Sequence, residues 1–180
     1  IVTRGTPALL AASNAAGTIP IVMTNVEDAV ESGLIASLAK PGANVTGLTA
    51  MLPELSAKRL ELAKESIAKL SRVGVLWNSA YPEKANELKQ TQAAARLLGI
   101  QVHSLEALTP EDIETAFEAA VKGRVGAVIT LPDPLTNTHQ ARIVEFASKK
   151  RLPTMFTQRS PVDAGGLMSY GPNYTDLFRR

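Results

Sequence analysis

The stretch RVGVLWNSAYPEKANELK (residues 72–89) decides the reading of the whole chain. Residues 73–77 are apolar at successive positions apart from Gly74, the pattern of a strand covered on both faces. A polar corner, Asn78, Ser79 and Tyr81, follows. A helical segment then carries Ala85, Leu88, Ala95 and Leu98 at helical spacing and stops at Gly99, a residue suited to the position just past a helix. A phosphate-binding loop would need Gly-x-x-x-x-Gly-Lys-Ser/Thr at this corner, and a hydrolase elbow would need Gly-x-Ser-x-Gly; neither is present. What the corner offers is an amide, a hydroxyl, an aromatic ring and a helix start. That is equipment for gripping something small and polar without reacting with it.

The same rhythm of short apolar strand, polar corner and amphipathic helix runs outward in both directions, which marks βαβ units and a parallel sheet. Strands are expected at 1–3, 19–23, 45–48, 73–77, 100–105, 125–131, 154–156 and 167–169. A helix begins near Pro53, with Leu60, Ala63, Ile67 and Leu70 on one face. In TPEDIETAFEAAVKG (109–123), Thr109 reads as N-cap, Pro110 as first helical residue and Gly123 as terminator. Another helix is expected from about 138 to 150, with Ile143, Val144 and Ala147 inward and basic residues near its negative end. The plan of 1–12 with 19–25 is echoed by 125–137 with 152–158, as two similar lobes would produce.

Composition narrows the function classes. The chain has 180 residues, 45% of them hydrophobic and 20% charged, with a net charge of +2, so nothing in the balance points to a nucleic-acid partner. With no cysteine there is no disulfide, thiolate nucleophile or cysteine-based zinc site, and the absence fits periplasm and cytoplasm equally. No apolar run approaches the roughly 18 residues of a membrane span, and no signal peptide is visible. The chain opens without methionine inside an expected strand and ends in an expected helix, so both ends are expected to be cuts.

Ligands of open α/β sheets bind beyond the carboxyl ends of the strands. Those ends carry Thr6 and Pro7, Asn25 and Asp28, Asn78, Ser79 and Tyr81, Asp133, and Ser169 and Tyr170, a polar rim of mixed charge that helix N-termini meet at several corners. Several residues at these corners have a plainer role beside it. Asn78 and Ser79 suit a helix cap. Asp133, in LPDPLTN, suits a turn in which its carboxylate accepts backbone N–H bonds, and Trp77 suits the core. The two histidines, His103 in a strand and His139 on a helix, lie near no recognisable nucleophile pattern, so no catalytic residue is expected. Asp28 and Asp133 lack a metal-ligand spacing, and AKPGANVTG (39–47) lacks the context of a dinucleotide loop, so neither metal nor cofactor is expected.

The segments 1–12, IPIVMTNVEDAVESGLIASLAKPGANVTGLT (19–49), 71–100, LPDPLTNTHQARIVEFASKKRLPTMF (131–156) and AGGLMSYGPNYTDLFRR (164–180) together resemble the substrate-binding proteins of ABC transporters related to the tryptophan-binding type. The resemblance implies a two-lobed type I periplasmic-binding-protein fold, α/β with parallel sheets flanked by helices. Residues 1–49 would be a partial N-lobe, 50–168 a complete C-lobe, and 169–180 the crossing back with the start of a further helix. It implies a periplasmic protein that captures a small molecule, an amino acid or related carboxylate first, in the cleft between lobes and delivers it to a membrane permease without nucleic acid, cofactor or catalysis. Its cleft contacts map onto Thr6 and Pro7, Asn25 and Asp28, Asn78, Ser79 and Tyr81, Asp133, and Ser169 and Tyr170. Two departures alter loop geometry: related chains often have Asp-Pro-Val where Asp28-Ala29-Val30 stands, and an Asn-Pro corner where Ser79 follows Asn78. The alternative of the same fold class is the effector domain of a lactose-repressor-like regulator, which would carry a helix-turn-helix upstream.

Overall fold

The structure, a computed structural model, describes residues 1–26, 29–30, 32–42, 44–50 and 52–179. Eight strands and eight helices occur among them: β1 Val2–Arg4, α1 Thr6–Ala15, β2 Ile21–Val26, β3 Val45–Thr49, α2 Leu52–Ser66, β4 Arg72–Trp77, α3 Pro82–Leu97, β5 Gln101–Glu106, α4 Asp112–Lys122, β6 Ala127–Thr130, α5 Pro134–Thr138, α6 Gln140–Lys150, β7 Thr154–Phe156, α7 Ser160–Asp163, β8 Met168–Ser169 and α8 Tyr174–Arg179. They form two compact units, one from Ile1–Leu52 with Pro172–Arg180, the other Pro53–Gly171.

In the larger unit all five strands are parallel, in the order β5-β4-β6-β7-β8. The apolar run of β4 feeds two cores, one on each face. Val73 and Val75 pack with Leu60 and Ala63 of α2, Leu88 and Ala95 of α3, and Ile129 of β6. Leu76 packs with Ile113 and Phe117 of α4 and with Ile143 and Val144 of α6. Each fully buried aliphatic or aromatic side chain here contributes about 1.5–3 kcal/mol relative to exposure. A chain that leaves β4 by α3 to β5 on one side and returns by α4 to β6 on the other creates a topological switch point. In such sheets the crevice at that point, beyond the strand ends, is where ligands sit.

The smaller unit is a parallel sheet in the order β1-β2-β3. Its core joins Leu9 of α1 with Ile21, Met23 and Val45, and α8 packs against β2. The β2–β3 register slips between Met23 and Val26, and Asn25 there takes a left-handed backbone (φ 53°), which asparagine tolerates better than most residues.

Several boundaries differ from the sequence expectation for local reasons. The helix begun near Pro53 ends at Ser66, so Ile67 and Leu70 lie past it; Lys69 turns left-handed (φ 57°) and stops the helix where no glycine signals it. Helix α4 begins at Asp112, whose carboxylate accepts the amides of Leu108 (3.0 Å) and Thr109 (2.8 Å), so the Thr109–Asp112 turn leads into the helix. Gly123 keeps a right-handed backbone and Arg124 takes the left-handed one; glycine is needed at 123 because a Cβ would lie 2.9 Å from His103 Nδ1. The helix expected over 138–150 is α6, and a short helix α5, not expected from the sequence, precedes it across His139.

Candidate functional site

The switch point places Asn78, after β4, beside Asp133, after β6. Leu76 pairs with Thr130 and the Leu131 amide donates to Leu76 O at 2.9 Å, so the two corners leave adjacent strands. Asn78 is buried and its Oδ1 accepts the Ala80 amide (2.9 Å), which folds the corner into an Asx turn and leaves the side-chain NH2 as the polar group it can present. Ser79 is exposed. Tyr81 is half-buried, precedes Pro82 at the start of α3 and makes no side-chain cap. Trp77 donates from Nε1 to Ser104 Oγ on β5 at 2.7 Å, so its ring is anchored in the sheet.

Asp133 is buried and caps α5 completely. Its Oδ1 accepts the amides of Leu135 (2.6 Å) and Thr136 (3.1 Å), while Thr136 Oγ1 accepts the Asp133 amide (3.0 Å) and donates to Leu131 O (3.0 Å). Burial pushes the Asp133 carboxyl above the usual carboxylate range; the Thr136 and Leu135 amides, the Lys84 charge and the Thr136 hydroxyl pull it back only in part. The folded protein therefore holds this proton more tightly than the unfolded chain. Its contribution to stability rises as pH falls from neutral through the raised folded value and levels off below the ordinary value of about 3.9. Asp133→Asn keeps a capping acceptor and removes the titrating carboxyl. Denaturation midpoints between about pH 4 and 7 should show wild type gaining on Asp133→Asn as pH falls; parallel profiles would contradict the assignment.

Beneath these corners lies a cluster that the sequence analysis did not single out. Arg59, Lys84 and Glu87 are fully buried between α2 and α3. Glu87 Oε1 accepts from Arg59 Nη2 at 2.6 Å and its Oε2 from Lys84 Nζ at 3.1 Å; Arg59 Nη2 also donates to Ser56 Oγ at 2.9 Å. Thr91 Oγ1 donates to Glu87 O at 2.8 Å. Helix phase was the available signal. Lys84, Leu88, Thr91 and Ala95 recur at 4, 3 and 4 residues, so the charged pair continues the apolar stripe of α3, and Ser56, Arg59, Leu60 and Ala63 do the same on α2.

The remaining expected positions fall into two groups. Ser169 and Tyr170 are exposed at the edge strand; Ser169 pairs with Phe156, and the Tyr170 amide donates to Phe156 O at 2.9 Å. Close beside them, between the ends of β6 and β7, a cavity of about 10 Å3 has room for one water and no metabolite. In the smaller unit, Thr6 and Pro7 form the first turn of α1 rather than a loop, preceded by Gly5, whose positive φ (77°) lets its amide reach Thr24 O at 3.1 Å. Because Arg4 pairs with Thr24, the Thr6 and Asn25 corners adjoin at the ends of β1 and β2. Asp28 lies outside the described residues. Among the described residues no group of three His, Cys, Asp or Glu side chains converges as metal ligands would, and no helix is long and apolar enough to cross a membrane.

Comparison with known proteins gives a consistent picture. A family model described as ABC transporter substrate binding protein matches residues 1–178. A tyrosine-binding protein of Clostridioides difficile (strain R20291) is 30% identical over 172 residues, which is 96% of this chain and 49% of that protein, so the chain spans about half the length of this curated relative. Among solved structures, a conserved domain protein from Vibrio cholerae is 28% identical with a TM-score of 0.87 over 98% of this chain and 58% of its own. A ligand-free, open substrate-binding protein with adhesive properties from Clostridium difficile is 27% identical with a TM-score of 0.73, over 98% of this chain and 59% of its own.

Proposed function

Because this chain belongs to the family of ABC transporter substrate-binding proteins, we propose that it serves as the substrate-capturing component of an importer, binding a small molecule outside the cytoplasmic membrane and handing it to a membrane permease. The observation that carries the reading is the family match over nearly the whole chain, joined to a polar rim at the β4/β6 switch point that holds no nucleophile with an activating base. No bond is made or broken in this role. Ligand contacts are assigned to Asn78, Ser79, Tyr81 and Asp133, with Ser169 and Tyr170, and to Thr6, Pro7, Asn25 and Asp28.

The ligand class proposed is an amino acid, with an aromatic one first, supported by the tyrosine-binding relative. The Asn78 side-chain NH2 supplies a donor for a carboxylate, and Tyr81 an aromatic surface. A thermal-shift screen against amino acids, sugars and small organic acids tests this. A ligand at about a hundred times its dissociation constant adds roughly 2.7 kcal/mol. Tyrosine, tryptophan or phenylalanine is expected to raise the midpoint, and Asn78→Ala to abolish the rise while the unliganded midpoint moves by about 1 kcal/mol or less, the scale of a lost turn hydrogen bond. A response confined to sugars would replace the ligand class, and silence across all three classes would remove the capture role from this chain.

A further inference from the structure

Because the strands of the larger unit are parallel, α2, α3, α4 and α6 deliver their C-terminal turns to the starts of β4, β5, β6 and β7. Those starts lie side by side: Arg72 pairs with Gln101, Val73 with Ala127 and Val128 with Thr154. This is the end of the sheet opposite the candidate ligand rim. The four stretches that form it, residues 64–72, 96–101, 121–126 and 148–153, hold nine lysines and arginines and one acid, Glu65. The rest of residues 53–171 holds six basic and twelve acidic residues, so the positive charge of the unit is gathered at one end. Of the nine cations only Arg72, which donates to Gly123 O, is not fully exposed, and Lys149 pairs with Glu145. Helix dipoles favour cations in last turns and account for part of this. They do not account for the residues that follow. Lys69, Arg124 and Arg151 stand shortly past α2, α4 and α6 with φ of 57°, 51° and 54°, the left-handed conformation that glycine takes without strain, yet each is a cation. Nor do they account for Leu97, the last residue of α3, which is 90% exposed beside Arg96, or for Val121, exposed beside Lys122.

We propose that this basic end is a docking surface for an anionic phospholipid bilayer, with Lys69, Arg124 and Arg151 over the headgroups and Leu97 and Val121 entering the interface beneath them. Clustered cations interspersed with exposed apolar side chains suit a surface of anionic headgroups above an acyl layer. No aromatic ring stands in the four stretches to stack on a base, which counts against single-stranded nucleic acid. The charge asymmetry orients the unit on such a surface and leaves the Asn78 and Asp133 corners, at the other end of the sheet, open to solution. A chain held this way stays at the membrane while it collects ligand. That purpose rests on the capture reading above, whereas the surface rests on charge, exposure and backbone.

Flotation of the chain with vesicles of phosphatidylcholine alone, and of phosphatidylcholine and phosphatidylglycerol in equal parts, tests the surface. Wild type is expected to float with the mixed vesicles only, and to release as ionic strength rises from about 0.05 M to about 0.5 M. Each basic residue near an anionic bilayer is worth about fivefold in binding, so Lys69→Gly/Arg124→Gly/Arg151→Gly is expected to bind roughly a hundredfold more weakly. Glycine suits all three backbones, so this variant is expected to fold. Should it not, Lys122→Gln/Lys150→Gln, which changes two exposed side chains and leaves every left-handed position intact, decides the matter with an expected loss of roughly twenty-fivefold. Leu97→Ser is expected to weaken binding several-fold at both ionic strengths. Equal binding to the two vesicle types, binding unchanged in the charge variants, or tighter binding to a duplex DNA probe than to the mixed vesicles would overturn the proposal. Calorimetric titration with L-tyrosine separates the two readings. A wild type that floats as expected and does not bind L-tyrosine upholds the surface and counts against the ligand assignment; one that binds L-tyrosine and no vesicle overturns the surface and leaves capture standing.

Discussion

Glu87→Ala is expected to destabilise the larger unit by about 3–5 kcal/mol, the range seen when one member of a buried ion pair is removed. Glu87 is the anion that Arg59 and Lys84 share, at 2.6 and 3.1 Å, and all three side chains are buried. Its loss removes the carboxylate that the two buried cations share between α2 and α3. Denaturation followed through Trp77, the one tryptophan of the chain and a residue of β4, reads this unit directly. Replacing Arg59 and Glu87 together by apolar residues removes a cation along with the anion and should cost less than Glu87→Ala alone. If the single variant loses less than about 1 kcal/mol, water or another group compensates the cations and the layer is not the dry charged network described.

Gly47→Ala should have a comparable effect in the smaller unit, for a steric reason. Gly47 lies within β3, opposite Met23, with φ 137°, a backbone closed to side chains, and an added Cβ would lie 2.0 Å from Met23 O. The clash is with backbone, so no rotamer relieves it, and β2 and β3 must part. A cost of about 3 kcal/mol or more is expected, combining the strained backbone with the lost pairing. Proteolysis of residues 1–52 should accelerate while the Trp77 emission remains native. A variant as protease-resistant as the wild type would show that the β2–β3 approach is looser than the structure describes.

Much of this architecture was legible because parallel strands buried on both faces announce themselves as unbroken apolar runs, as in residues 73–77. All eight expected strands occur, although β6 is only Ala127–Thr130; Val125 and Leu131 flank it, buried but outside the ladder. Helix ends were harder. Lys69, Arg124 and Arg151 adopt left-handed conformations without the glycine that would betray them. At the candidate site, the strand-end rule led to Asn78 and Asp133, and the structure gives each a local task, an Asx turn and a helix cap, beside the ligand contact assigned above. Arg59, Lys84 and Glu87 escaped notice because such residues are almost never fully buried unless paired, and the helix phase that puts them on each apolar stripe does not reveal which partner on the other helix neutralises them.

The chain passage between the two units sets a birth order. Residues 53–171 are contiguous, so the five-stranded sheet can close as soon as its own segment has left the ribosome. The three-stranded sheet cannot, because α8, which packs on β2, is translated only after that entire insertion, a delay on the order of ten seconds at ordinary elongation rates. During that interval β1, β2 and β3 exist without α8, and Val2 and Val22 are exposed in this structure. Residues 1–26 and 44–50, which carry β1, β2 and β3, are thus exposed to wrong partners for longer than the insertion, and a holdase acting on the nascent chain would be expected to engage them.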